Sequence, residues 1–192
     1  MPRPLACHTR RGFTLTEIAI VLGIVGIVLA AIWAASANIS DNNKVKTATS
    51  ELAFIVDGYK NMYSGNGVDT SGNVTCVGVT AGYFPQPMPQ PGVTCANNNS
   101  LTYPQHPWGD YVKVQSDSVN QGISVLLHGL PQTACVQFAV QVVGISELLQ
   151  ETINGNTRNF PPLGNDPVFG ITDITTFCDA NANDVTLMFK AR

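Results

Sequence analysis

Charge is scarce in this chain. Asp, Glu, Lys and Arg make up 12% of its 192 residues, whereas glycine (17) and proline (12) are plentiful. That balance speaks against a cytosolic helical enzyme and for a loop-rich exterior domain. Basic residues are scarcer still past the first dozen positions. Arg3, Arg10 and Arg11 all precede Phe13, and no acidic residue does, so seven basic side chains face thirteen acidic ones in the remainder, a charge of −6. Such a surface has no basic footprint for nucleic acid. Catalytic machinery is also lacking. Asp110, Glu147, Glu151 and His128 supply titratable groups, but no nucleophile elbow, metal-ligand pair or phosphate-binding glycine loop accompanies them. No C-x-x-C pair exists, and His106 and His128 show no ligand spacing, so zinc is not expected. The expectation is a protein that is not an enzyme and holds no cofactor or metal.

Five cysteines are present. Cys7 lies before the apolar segment described next, and Cys76, Cys95, Cys135 and Cys178 lie far beyond it. An even set behind an export segment reads as two disulfides made in an oxidising compartment. Four cysteines permit three pairings, and the sequence does not choose among them. Cys76–Cys95 with Cys135–Cys178 is the pairing in which each bond staples one local unit.

One long hydrophobic run stands out. From Ile18 to Ala37 there is no charge, and Glu17 stands immediately before it. Twenty helical residues span about 30 Å, the thickness of a bilayer core. The arginines before the run hold that end in the cytoplasm by the positive-inside rule. Two ordinary readings exist. Ala35-Ser36-Ala37 fits a signal peptidase site, which would release a secreted binding module beginning at Asn38. A plain signal anchor is the other. Neither accounts for Gly12 and Phe13 between a basic leader and Thr14-Leu15-Thr16-Glu17.

Gly12-Phe13-Thr14-Leu15-Thr16-Glu17, followed by the apolar run, resembles the N-terminal motif of the type IV pilin superfamily. The resemblance implies cleavage between Gly12 and Phe13 by a prepilin peptidase, methylation of the Phe13 amine, and assembly through Glu17. It also implies an inner-membrane precursor that polymerises with other pilin subunits into an extracellular filament, driven by an assembly machine in the envelope. Glu17 then has a physical rationale. Cleavage creates a positive amine on Phe13, and a carboxylate on a neighbouring subunit is its natural partner where water is excluded. On this reading Glu17 sets subunit register and does no catalysis.

Past the apolar run, Val45, Ala48, Leu52, Ile55, Val56, Tyr59, Met62 and Tyr63 recur at three- and four-residue steps, which marks one face of a helix. Ser40-Asp41-Asn42-Asn43 interrupts the pattern, but no proline does, so one long helix is expected over 13–63 with its 18–37 half in the membrane. Residues 64–110, rich in turns and proline, read as a long connection pinned by Cys76–Cys95. The alternating stretches 111–115, 122–128 and 184–190 read as strands, and Asn154-Gly155 as a hairpin turn. The stretch 131–149 is ambiguous: Val136, Phe138, Val140 and Val142 alternate like a strand, while Ala134, Cys135, Phe138, Ala139 and Val142 form a helical face.

Trp108-Gly109, the strands, Leu130-Pro131 with Cys135, then Ile153-Asn154-Gly155 and a late Cys178 are similar to the heads of type IVb pilins, nearest the conjugative thin-pilus and bundle-forming subunits. That similarity implies a helix over 131–149 and a disulfide tying Cys135 to Cys178. The Phe13 junction is the one more usual in type IVa, and the twelve-residue leader is intermediate in length. The expected architecture is α+β: leader 1–12, long helix 13–63, connection 64–110, and an antiparallel sheet with one helix over 111–192. A minor pilin or a type II secretion pseudopilin is the nearest alternative. Pseudopilin heads bind calcium, but Asp173, Asp179 and Asp184 fit no such loop.

Overall fold

A computed structural model describes residues 14–65, 67–68, 72–86, 88, 103–145, 147–160, 170–179 and 182–191, with the side chains of 34–39 left aside. The chain divides into two compact units, residues 1–40 and 41–192. One continuous helix, α1 (Leu15–Tyr63), contributes to both. Ser40-Asp41-Asn42-Asn43 does not break it, in keeping with the absence of proline. Among the described residues of the first unit α1 is the only element, and its side chains from Leu15 to Trp33 are all exposed.

The second unit is an antiparallel sheet covered on one face by helices. Its strands are β1 (Gly72–Asn73), β2 (Val112–Asp117), β3 (Gly122–Leu130), β4 (Leu148–Ile153), β5 (Asn156–Asn159) and β6 (Asn183–Lys190). They lie in the order β1-β2-β3-β6-β4-β5, so the last strand of the chain sits in the middle of the sheet. Alternation of side chains supplies the inner face: Ile123, Val125 and Leu127 of β3 oppose Phe189, Leu187 and Val185 of β6. All six are buried. Against them lies the stripe of α1 at Val45, Ala48, Leu52, Ile55, Val56 and Tyr59, none more than 4% exposed. Burying one such side chain is worth about 1.5–3 kcal/mol.

Segment 64–110 differs from the expected connection. It contains β1 and a short helix, α2 (Thr75–Ala81). Polar anchoring explains this better than composition does. The buried Thr75 hydroxyl accepts from the Val114 amide at 2.8 Å and donates to Asn73 Oδ1 at 2.7 Å, which fixes α2 against β2. The Tyr59 hydroxyl donates to the Val74 carbonyl at 2.7 Å, and a side chain at Gly78 would collide with that ring. Only glycine lets α2 approach so closely.

Residues 131–149 are also corrected. Helix α3 (Gln132–Val142) opens after Pro131 and buries the predicted helical face, but it ends at Val142, and Leu148 already belongs to β4. Pairing of Leu148 with Phe189 and of Ile153 with Val185 outweighs any continuation of the helix. Asn154 (φ 47°) and Gly155 (φ 85°) then turn β4 into β5, with the left-handed backbone that favours an Asn-Gly pair. A last short helix, α4 (Ile171–Phe177), leads to Cys178.

Polar groups inside this core are handled in three ways. Glu151 of β4 and Arg158 of β5 form a buried ion pair beneath α3, where Arg158 Nη2 also donates to the Ala139 carbonyl at 3.2 Å. The Asn183 amide donates to the Leu130 and Asp179 carbonyls, each at 2.8 Å, and its oxygen accepts from Asn154 at 2.8 Å. Glu51 of α1 is different. It is 6% exposed, and its Oε2 has no hydrogen-bond partner among the described residues.

Burial pushes the Glu51 carboxyl from the usual 4.5 up to about 7. Because the folded-state value is raised, its contribution to stability is complete below about pH 4.5 and is lost as the pH rises through 7. The shift corresponds to roughly 3 kcal/mol at most. Glu51→Gln should therefore flatten the pH dependence of unfolding free energy between pH 4.5 and 8, read by denaturant titration of parent and variant in detergent. Parallel curves for the two proteins would refute this role.

Candidate assembly site

The start of α1 is closed by a reciprocal pair of side-chain contacts. Glu17 Oε2 accepts from the Thr14 amide and from the Thr14 hydroxyl, each at 2.9 Å, while the Glu17 amide points back to Thr14 Oγ1 at 3.4 Å. Thr14 and Glu17 thus form a capping box, which satisfies donors that the first turn of a helix leaves unpaired. Thr-x-x-Glu before an apolar run is its sequence signature, so Thr14 belongs to the site alongside Glu17. Gly12 and Phe13 lie outside the described residues. So does Cys95.

Beyond Glu17 the helix presents Ile18, Ile20, Val21, Leu22, Ile24 and their large apolar successors to the outside, each between 45% and 78% exposed as far as Trp33. Gly23 and Gly26 have open space around them. Leu15–Trp33 is 19 residues long and apolar enough to cross a membrane by length and composition. An exposed apolar surface of this size needs either lipid or other protein to cover it.

At the opposite end of the chain, Cys135 of α3 and Cys178 are joined in a disulfide, with Cα atoms 5.9 Å apart. Gln132 Nε2 donates to the Cys178 carbonyl at 3.1 Å, so α3 holds the segment after α4 by two bonds. Cys76, on α2, is disulfide-bonded as well.

Asp110, Asp184 and Tyr111 gather around His128. Its Nδ1 lies 3.0 Å from Asp110 Oδ2 and its Nε2 3.7 Å from Asp184 Oδ1, and the Tyr111 ring stacks on it at 4.4 Å. His106 is buried. Its Nε2 donates to the His128 carbonyl at 2.6 Å and its Nδ1 accepts from the Trp108 amide at 3.2 Å, so the ring is neutral and acts as a strut. Burial lowers its pKa accordingly. Asp110, Glu147, Glu151 and His128 do not converge as a set: Glu147 pairs with Lys60, and Glu151 lies under α3 with Arg158. Among the described residues no three His, Cys, Asp or Glu side chains group as metal ligands. Asp173 instead accepts from the Gly170 amide at 2.8 Å.

Two family models match the chain. The prokaryotic N-terminal methylation motif covers residues 7–33, and the PilS N-terminal domain covers residues 42–190. The chain belongs to the PilS family of type IV pilins. The fold is similar to the crystal structure of a type IVb pilin from Salmonella typhi, at a TM-score of 0.54 and 18% identity, over 73% of this chain and 97% of that one. No curated protein matches. In this pilin a long N-terminal apolar helix leads into an antiparallel sheet whose C-terminal region is bound by a disulfide.

That disulfide closes a loop of 43 residues, and the chain-entropy account assigns it about 4 kcal/mol. Replacing Cys135 and Cys178 together by serine should lower the unfolding midpoint of the pilin and expose α3 and α4 to protease. Thermal unfolding in detergent, followed by circular dichroism, measures the first effect. An unchanged midpoint would show that the Asn183 contacts hold the C-terminal region unaided.

Proposed function

We propose that this pilin is the structural subunit of an extracellular type IV filament. It is made as an inner-membrane precursor with its N-terminus in the cytoplasm, cut after Gly12, methylated on Phe13, and polymerised through α1. The observation that carries this reading is the uncovered apolar helix with a single carboxylate, Glu17, at its tip, inside the stretch that the methylation motif matches. Cleavage places a terminal amine four residues before that carboxylate. In the dry interior of a helix bundle, each subunit's Glu17 neutralises the amine of a neighbour, and a subunit entering at the wrong axial offset leaves both charges unpaired. Adhesion, aggregation and conjugation are the activities such a filament serves. The head contributes its surface to them and no catalytic step.

Two variants separate the stages. Gly12→Val should accumulate as full-length precursor in the inner membrane, while the parent chain should mature with Phe13 as its first residue. Mass measurement of the mature N-terminus decides this, because release by signal peptidase would give Asn38 instead. Glu17→Ala should be inserted and cleaved but should yield no filaments as the sole subunit, since stranding one partner of a desolvated pair costs about 3–5 kcal/mol at each contact. Electron microscopy of sheared surface fractions, beside an immunoblot of membranes, reads the outcome. Abundant filaments built wholly of Glu17→Ala subunits would end the pairing hypothesis.

A further inference from the structure

A small cavity lies between α1 and strands β2 and β3, closed by Met88 and His106. It has about 10 Å³ of room for a water-sized sphere, enough for one water molecule at most. Glu51 lines it, 6% exposed, with an Oε2 that has no hydrogen-bond partner among the described residues. The other titratable group on the cavity is His106, whose ring nitrogens already serve the His128 carbonyl and the Trp108 amide. The strands contribute Val112, Val125 and Leu127, and α1 contributes Ala48, Leu52 and Ile55. No cation among the described residues lines the cavity, and the sequence has no lysine or arginine between Lys60 and Lys113.

These walls are not held alike. Val112 pairs with Leu127 in the sheet, Leu52 and Ile55 belong to a long helix, and the His106 amide donates to the Asp110 carbonyl at 2.9 Å. Met88 lies in no helix or strand. Its amide donates to the Pro85 carbonyl at 3.0 Å, a bond within its own turn. Pro85, Pro87 and Pro89 have no N–H to give to a neighbouring strand. Yet the Met88 side chain is only 3% exposed.

We infer that Met88 is a plug over Glu51, seated while the carboxyl is protonated and released when it ionises, so that this part of the head is closed in acid and opens to water at neutral pH. The plug is a property of the second unit and stands apart from the filament reading. A protonated carboxyl is a tolerable guest among Leu52, Ile55 and Leu127. A carboxylate presents about four acceptor sites, which one water and no cation cannot satisfy. Water must then enter, and Met88 is the wall residue with the fewest bonds to break. Its unbranched, flexible side chain suits it to both positions. Burial pushes the Glu51 carboxyl up to about 7. Because the closed-state value is raised, closure has its full advantage below about pH 4.5, loses roughly tenfold per pH unit up to about 7, and loses no more beyond.

Methionine oxidation reads the plug directly, because dilute peroxide converts a thioether to its sulfoxide fastest where the sulfur meets solvent. In the full chain in detergent, Met88 sulfoxide should form about tenfold or more faster at pH 8 than at pH 5, relative to Met188 in the same molecule. Met188, half-buried on β6, is the internal reference. Glu51→Gln cannot ionise and should hold the ratio flat. Peptide mass mapping gives the ratio in both proteins. A parent ratio that does not change with pH would overturn the plug, and so would an equal rise in Glu51→Gln. Urea separates local release from global unfolding, since only global unfolding exposes a large surface. At pH 8, Met88 oxidation in the parent should stay within about twofold at urea concentrations below the unfolding transition. An exponential rise from the lowest urea concentrations would show that Met88 meets solvent by global unfolding alone, and the plug would fall.

Discussion

The stripe of α1 from Val45 to Tyr59 has to be taken out of water, and the inner face of the sheet is what covers it. Much else in the second unit follows from that requirement. One of the two middle strands of the covering sheet is β6, which follows the other five in sequence, so the cover is incomplete until that segment joins. Its neighbours β3 and β4 are separated in sequence by α3, and β6 joins them only through long-range pairing. Contacts of such high sequence separation are slow to form, because chain entropy is lost before the contacts repay it. The bonds around β6 are placed where that difficulty is greatest. Asn183, its first residue, reaches the end of β3 and the β4–β5 turn, and the Cys135–Cys178 disulfide holds the segment just before it to α3.

A single helix serves two different solvents. From Val45 onward its apolar residues are confined to one face and meet protein. From Leu15 to Trp33 they surround the helix and are exposed throughout. The first pattern is that of a globular core, and the second is that of a helix immersed in lipid or bundled with its like. No compromise sequence serves both, which is why the composition changes so sharply around Ser40-Asp41-Asn42-Asn43. Those four polar residues mark the change of environment without ending the helix.

The parts of this fold that were legible in the sequence are those encoded by short-range periodicity. The stripe of α1 repeats at helical steps, and β3 and β6 alternate cleanly, so both types of element could be read directly. The Asn154-Gly155 turn was legible because its backbone demands those residue types. Elements fixed by tertiary polar contacts were not legible. Helix α2 depends on Thr75 reaching across to Val114 and on Gly78 admitting the Tyr59 ring, and nothing in a run of small residues announces either contact. The end of α3 is set by what Leu148 and Ile153 pair with, Phe189 and Val185, 41 and 32 residues later. Glu51 was invisible for a related reason. A glutamate on an otherwise regular helix reads as solvated until the fold covers it. At the candidate assembly site, Glu17 was legible from its place before the apolar run, and its partnership with Thr14 is carried by the spacing Thr-x-x-Glu.

That partnership changes how Glu17 functions on the filament reading. A bare carboxylate at the tip of an apolar helix would bear a heavy desolvation cost whenever water was withdrawn, before any neighbour arrived. The Thr14 amide and hydroxyl reduce that cost by donating to Oε2 within the same turn. They also fix the orientation of the carboxylate, so less side-chain freedom is lost when a partner binds. Neither donor carries a charge, so the cap itself supplies no counter-ion, and the anion still discriminates between a site that supplies a cation and one that does not. A charged local partner would have removed that discrimination, and no local partner would have made insertion costly. A neutral cap lies between the two. It lets the helix wait at low cost while the requirement for a second subunit stays in force.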